Sequence, residues 1–250
     1  DTASTLAAAK ELYARAARPN LLIKIPGTPQ GLPAIEEAIF AGVPINVTLL
    51  FSREQYVAAA EAYLRGIERR IDAGLNPDVR SVASLFISRW EVAVASTDEL
   101  RNKLGIAIAN RTYKAARELL ISPRWLRIYN AGARPQRVVW ASTGTKDPTA
   151  SDILYIKAFA APFTVNTMPE KTLNAFADHG EVGDIMAVDG GDCETVLSQF
   201  AKAGFDVDAL AAKLQEEGAK GFSASWNELM EVIASKCATM QQANERRFSS

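Results

Sequence analysis

Histidine occurs once in these 250 residues and cysteine twice. His179 alone cannot build a multi-histidine metal centre. Cys193 and Cys237 are far apart and lack CxxC spacing, so they make neither a zinc ligand set nor a disulfide framework. A Ser-His-Asp or Cys-His triad would have to use His179, which sits in Asp178-His179-Gly180 at an expected helix end. There an imidazole reads as a charge favourable to the helix dipole rather than as a catalytic base. The usual hydrolase and zinc-enzyme routes are nearly closed. An excess of either charge is also lacking: 28 basic residues face 29 acidic ones, with no single-sign block. That argues against a nucleic-acid partner and against a membrane-surface patch. Apolar runs such as Ile106-Ala107-Ile108-Ala109 fall far short of the ~18 residues a membrane span needs. The opening Asp-Thr-Ala-Ser shows no signal-peptide pattern, and a reducing cytoplasm is the expected compartment.

What the sequence does contain is alternation. Residues 2–17 carry Leu6, Ala9, Leu12, Tyr13 and Ala16 at helical spacing, and a short apolar run follows at 21–25. A helix is predicted at 31–41, a β-rich run at 45–51, and a long helix at 53–73 with Ser52 as its N-cap. Further strands are expected at 81–86, 137–142 and 163–167, with helices at 98–120, 151–160 and 169–178 and a turn or helix around Trp125. Strand and helix repeating in this way is the mark of parallel βαβ units. Polar residues gather at the strand C-terminal ends: Lys24, Asn46, Thr48, Ser84, Ser142 and Asn166. In a (β/α)8 barrel those ends converge on one mouth, and this favours the barrel over an open doubly wound sheet. After the turn-like Asp189-Gly190-Gly191-Asp192, helices are expected at 194–203, 207–215 and 223–242. The chain thus reads as one domain, 1–250, with a helical extension at 181–250. Five strands are fewer than eight, and the pattern opens on a helix without a strand before it. The expectation is an incomplete barrel holding its last five strands.

Lys24 is the sharpest chemical feature. Inside Leu-Leu-Ile-Lys-Ile its ammonium would lie among apolar neighbours, where desolvation lowers the pKa and yields a usable amine nucleophile. The alternative is an edge-strand lysine turned to solvent. Asn46 and Thr48 project to one face by pleat alternation and, with Ser84, offer neutral hydrogen-bonding groups to sugar hydroxyls or water. Arg89, Ser142 and Lys146 are the groups a phosphate would want near a barrel mouth, although each basic residue alone also reads as a surface charge. Gly144 would let backbone approach an anion, but the P-loop spacing is absent.

Several segments, in order, resemble those of transaldolases. The run from Asn20 through Lys24 to Ile35 is similar to the family's Schiff-base lysine strand, and Ile45-Asn46-Val-Thr48-Leu-Leu-Phe51-Ser to its next strand. Ser81-Val-Ala-Ser84-Leu-Phe86-Ile-Ser-Arg89, Trp140-Ala-Ser142-Thr-Gly-Thr-Lys146, the stretch from Thr164 to Leu173 and Phe176-Ala-Asp-His-Gly180 resemble later family segments. The chain is most similar to the longer bacterial type, also found fused to glucose-6-phosphate isomerase.

The resemblance implies a (β/α)8 barrel of the class I aldolase type, needing no metal or organic cofactor. It implies that Lys24 holds a dihydroxyacetone unit as a Schiff base, with Asn46 beside it and Thr48 helping to hold a catalytic water. Ser84 and Phe86 then line the substrate pocket, Arg89 binds phosphate, and Ser142 with Lys146 completes that site. Some relatives place an arginine where this chain has Gly144. The expected reaction moves the unit from sedoheptulose 7-phosphate to glyceraldehyde 3-phosphate in the pentose phosphate pathway, with a homodimer as the expected assembly. The family's first strands carry an aspartate, an asparagine and a glutamate general acid/base, all upstream of Asp1 by this alignment. No strand here ends in Asp or Glu. Two further readings therefore stay open: a fructose-6-phosphate aldolase-like lyase and a non-catalytic fragment.

Overall fold

A computed structural model of the chain describes residues 1–94 and 100–248. Five strands, β1 (Ile23–Pro26), β2 (Ile45–Leu50), β3 (Ser81–Phe86), β4 (Arg137–Ala141) and β5 (Thr164–Asn166), form one sheet in sequential order. Every neighbouring pair is parallel. Each crossover carries helix: α2 (Gly31–Phe40) between β1 and β2, and α3 (Arg53–Asp72) between β2 and β3. Between β3 and β4 lie α4 (Arg89–Ala93), α5 (Leu104–Leu120) and α6 (Pro123–Asn130), and α7 (Leu154–Ala158) precedes β5. The first helix, α1 (Thr2–Ala16), stands before β1, and α8 (Glu170–His179), α9 (Cys193–Lys202) and α10 (Val207–Phe248) follow β5.

The period of two explains how the strands work. Ile23 and Ile25 on β1, and Ile45 and Val47 on β2, are buried in the core with Ile35 and Ile39 of α2 and Ala59 and Ile67 of α3. The intervening Lys24 and Asn46 belong to the opposite face. Ser52 has extended backbone and accepts a hydrogen bond from the Gln55 N–H at 3.2 Å, starting α3 as its residue type predicts. Asp189 to Asp192 form a turn, with Gly190 and Gly191 both at positive φ.

Several boundaries differ from the sequence expectations. The helix expected at 98–120 is described from Leu104, and residues 98 and 99 lie outside the described residues. The helix expected at 151–160 shortens to Leu154–Ala158, and the short α4 carries no periodic signal long enough to be seen. The two helices expected at 207–215 and 223–242 are one helix, α10. Gly218, between the two expected helices, lets α10 pass close to β2: a Cβ built there would stand 2.8 Å from the Leu49 side chain.

Helices α2 and α3 meet at Gly66, where an added Cβ would lie 2.8 Å from the Glu36 carbonyl oxygen and 2.8 Å from the Ile39 Cβ. Alanine there would gain about 0.8–1.0 kcal/mol of helix propensity. Forcing the helices apart costs about 1–3 kcal/mol, so overpacking wins. Gly66→Ala is therefore expected to lower the urea midpoint with an unchanged slope; a raised midpoint would show that the helices can separate freely.

His179, the last residue of α8, places its ring nitrogens 3.0 Å from Asp152 and 3.2 Å from Asp178. Hydrogen bonds to these carboxylates raise its pKa above the ordinary histidine value. The folded state then binds the proton more tightly. The stabilisation is whole below the unfolded pKa of about 6.5 and fades as pH rises through the raised folded value. The thermal midpoint of His179→Ala should accordingly fall below the parent's at pH 5.5 and converge with it in alkaline buffer, with high salt shrinking the gap. A gap independent of pH would remove the ion pairs from the explanation.

Candidate active site

Parallel pairing puts Lys24 opposite Asn46 and Pro26 opposite Thr48, on the two strands that enter the C-terminal edge of the sheet together. Asn46 Oδ1 accepts a hydrogen bond from the Ser84 hydroxyl at 2.8 Å, which ties β3 to the same face. Thr48 is 1% exposed, and its Oγ1 has no hydrogen-bond partner among the described residues. A buried hydroxyl left so costs about 1–3 kcal/mol, a cost that a bound water or substrate oxygen would offset.

Lys24 is the exposed residue between buried Ile23 and Ile25. Its Nζ lies 5.4 Å from the centre of the Phe222 ring, which α10 carries over it. Desolvation by partial burial lowers its pKa from the ordinary lysine value. The attraction of a ring face for a cation, about 0.5–1 kcal/mol at an exposed site, works the other way but is worth less than one pKa unit. Burial thus favours the free amine, and the ring face partly opposes it. Both sequence alternatives are thus partly met: β1 is an edge of the described sheet, yet its lysine stands under an aromatic ring.

The backbone next to Thr48 is unusual. Leu49 has φ +58°, and the β2–β3 register shifts between Val47 and Leu50. A bulge of this kind re-aims side chains, and a fully buried leucine in the left-handed region costs about 1–3 kcal/mol. The Leu49 carbonyl accepts from the Gln215 side chain at 2.9 Å, and the same amide donates to the Gly27 carbonyl at 3.1 Å.

The anion-seeking residues divide into two groups. Arg89 opens α4, with its guanidinium 5.2 Å from the Phe86 ring centre, and Phe86 in turn packs on Phe51 at 5.5 Å. Ser142, also at positive φ, stands 2.9 Å (Oγ to Oγ) from Ser88, whose N–H donates to the Ser142 carbonyl at 2.9 Å. Ser142 is therefore adjacent to the residue preceding Arg89. Lys146 lies elsewhere, lining a cleft of about 280 Å³ with Glu91, Arg101, Asn102 and Asp147. Glu91 is the only buried carboxylate among the described residues. It accepts from the Gly105 N–H at 3.2 Å, and burial raises its pKa.

The structure thus gathers Lys24, Asn46, Thr48 and Ser84 on adjoining strands, with Phe86, Arg89 and Ser142 at the ends of β3 and β4. Gln215, Gly218 and Phe222, all on one face of α10, escaped the sequence reading. A glutamine, a glycine and a phenylalanine spaced three and four apart look like any helix surface, and only the docking of α10 gives them meaning.

Five sequential parallel strands with helical crossovers are an arc of a (β/α)8 barrel, whose chemistry sits at the strand C-terminal ends. Comparison with known proteins points the same way. The transaldolase/fructose-6-phosphate aldolase family matches residues 1–233. A transaldolase of Parafrankia sp. (strain EAN1pec) is 42% identical over 244 residues, covering 93% of this chain and 66% of that protein. Transaldolase 1 of Streptomyces avermitilis is 42% identical over 245 residues, 94% of this chain and 65% of its own length. The transaldolase of Thermobifida fusca is 42% identical over 249 residues, 95% of this chain and 68% of its own length. The chain therefore spans about two thirds of the length of these curated relatives. With sheet, strand-end polar residues and relatives in agreement, the chain belongs to the transaldolase/fructose-6-phosphate aldolase family.

Proposed function

We propose that this chain carries Schiff-base chemistry on ketose phosphates, with Lys24 as the amine. The observation that carries the reading is Lys24 in register with Asn46, on a face shared with Ser84 and the unpartnered hydroxyl of Thr48. The neutral amine adds to the ketose carbonyl carbon and water leaves. The C4 hydroxyl then gives up its proton to solvent water, and the C3–C4 bond breaks with its electron pair passing into the protonated imine. The dihydroxyacetone unit stays on Lys24 as an enamine while the aldose departs. Asn46 and Ser84 supply hydrogen bonds to the sugar, and Thr48 holds the water that is released as the imine forms and consumed when it is hydrolysed. Arg89 with Ser142 grips the phosphate.

Transfer of the unit from sedoheptulose 7-phosphate to glyceraldehyde 3-phosphate, in the cytoplasm and within the pentose phosphate pathway, is the form of this chemistry we infer. The relatives' name, transaldolase, supports it. The family's own description also takes in fructose-6-phosphate aldolase, so net cleavage is the second form. Dependence on an acceptor aldose phosphate separates the two.

Imine formation precedes carbon–carbon cleavage, so the role of the amine is measurable apart from turnover. Incubation with a ketose phosphate and borohydride should leave a reduced adduct on Lys24, the whole ketose phosphate before cleavage or three carbons after it, identified by peptide mass spectrometry and lost in Lys24→Met. Labelling that persists in Lys24→Met at another lysine would refute the assignment.

A guanidinium–phosphate contact is charge-assisted and worth about 1.5–3 kcal/mol. Arg89→Ala should therefore raise the half-saturating concentration of phosphorylated ketose by about 10–150-fold while leaving the unphosphorylated sugar little changed. An unaltered preference for the phosphorylated donor would take Arg89 out of the site.

A further inference from the structure

The β1–β2 ladder ends at the pairing of Pro26 with Thr48, beside the proposed reaction centre. Just beyond it, the Gly27 N–H donates to the Thr48 carbonyl at 2.8 Å. Gly27 and Leu49 lie just past the last β1–β2 pair, and buried carbonyls there need a donor. Gln215 serves both. Its amide nitrogen carries two N–H groups, it is 8% exposed, and it reaches the Gly27 oxygen at 3.1 Å and the Leu49 oxygen at 2.9 Å.

A second glutamine repeats the arrangement from the other side. Gln55 of α3 accepts from the Phe51 N–H at 2.7 Å and donates to the Ala211 carbonyl of α10 at 3.3 Å, one turn before Gln215. One turn beyond it, Gly218 lets the helix backbone approach: a Cβ there would stand 2.8 Å from Leu49 Cδ2 and 3.1 Å from Arg89 Nη1. One more turn brings Phe222 over Lys24. A single helix face therefore touches the amine strand, the bulge and the phosphate-binding arginine.

We propose that Gln215 is a positioning residue for the Lys24 site. By holding the carbonyls of Gly27 and Leu49 it keeps Leu49 in its left-handed conformation. That conformation fixes the aim of the buried Thr48 hydroxyl, one residue earlier, on the strand that pairs with the Lys24 strand. Leucine does not adopt the left-handed region for its own sake, so the bulge persists only while surrounding bonds hold it. The proposal rests on the reading of Lys24 as the ketose-binding amine.

Two variants test it. Gln215→Met keeps the length and loses both donors, and Gln215→Glu presents acceptor oxygens to two carbonyls. Hydrogen exchange of residues 48–51, followed by mass spectrometry, reads the bulge without any chemistry. Borohydride trapping at increasing ketose phosphate concentration reads the site. Both variants should speed exchange at 48–51 while leaving α2 and the body of α3 protected. The maximal rate of Lys24 labelling should fall by about tenfold to a hundredfold, as for displaced reacting groups, with far less change in the half-saturating concentration. Unchanged exchange at 48–51, or an unchanged maximal labelling rate, overturns the proposal. So does exchange that speeds up uniformly along the chain, which marks a merely structural glutamine. If the parent chain shows no Lys24 labelling, the Schiff-base reading falls instead, and exchange at 48–51 still decides whether Gln215 holds the bulge.

Discussion

The parallel register of β1 against β2 is the constraint on which the rest of the site depends. A slip of one residue would turn Lys24 toward the helices and bring Ile23 or Ile25 to the face now occupied by polar groups. The core forbids that slip. Ile23, Ile25, Ile45 and Val47 are packed with α2 and α3, so moving them would expose four apolar side chains at about 1.5–3 kcal/mol each. The position of the Lys24 amine is thus enforced by the burial of its neighbours, and the lysine itself contributes little to its own placement.

The polar face is built by opposing demands. Asn46 and Ser84 satisfy one another, whereas Thr48 is buried with its hydroxyl unpartnered and Leu49 is strained beside it. Costs of that sort gather where a ligand or a reacting atom is to be held. They are tolerated because Gln215 of α10 holds the Gly27 and Leu49 carbonyls while Gln55 of α3 holds the Phe51 N–H. Charge is kept to the rim. The amine stands among neutral groups, and Arg89 lies beyond Phe86 at the end of β3. In the proposed reading, this separation leaves the amine free to lose its proton while a fixed cation stays available for a phosphate.

Periodicity alone made much of this legible. Alternation over 45–51 showed that Asn46 and Thr48 share a face, and the Ser52 cap and the run after it gave α3. Failures came where local signals compete with packing. Two helices are expected at 207–215 and 223–242, but α10 runs through Gly218 and Gly221 between them, packing outweighing the poor helix propensity of glycine. Lys146 follows Ser142 closely in sequence, yet it lines the cleft beside Glu91 and Asp147, since Ser142 itself turns the chain at positive φ.

The sequence by itself determined the alternating class of the fold, the five strands, and the residue types at their C-terminal ends. Those follow from periods of two and 3.6 and from the chemistry of lysine, asparagine and threonine, which act within a few residues. Tertiary structure alone decided which strands become neighbours and that Leu49 takes a left-handed conformation. It also decided that Gln215, Gly218 and Phe222, some two hundred positions from Lys24 along the chain, complete its surroundings. The reason is physical. A side chain reads its own strand through covalent geometry, but a carbonyl at a strand end is indifferent to sequence distance and takes its donor from whatever helix the core brings within about 3 Å.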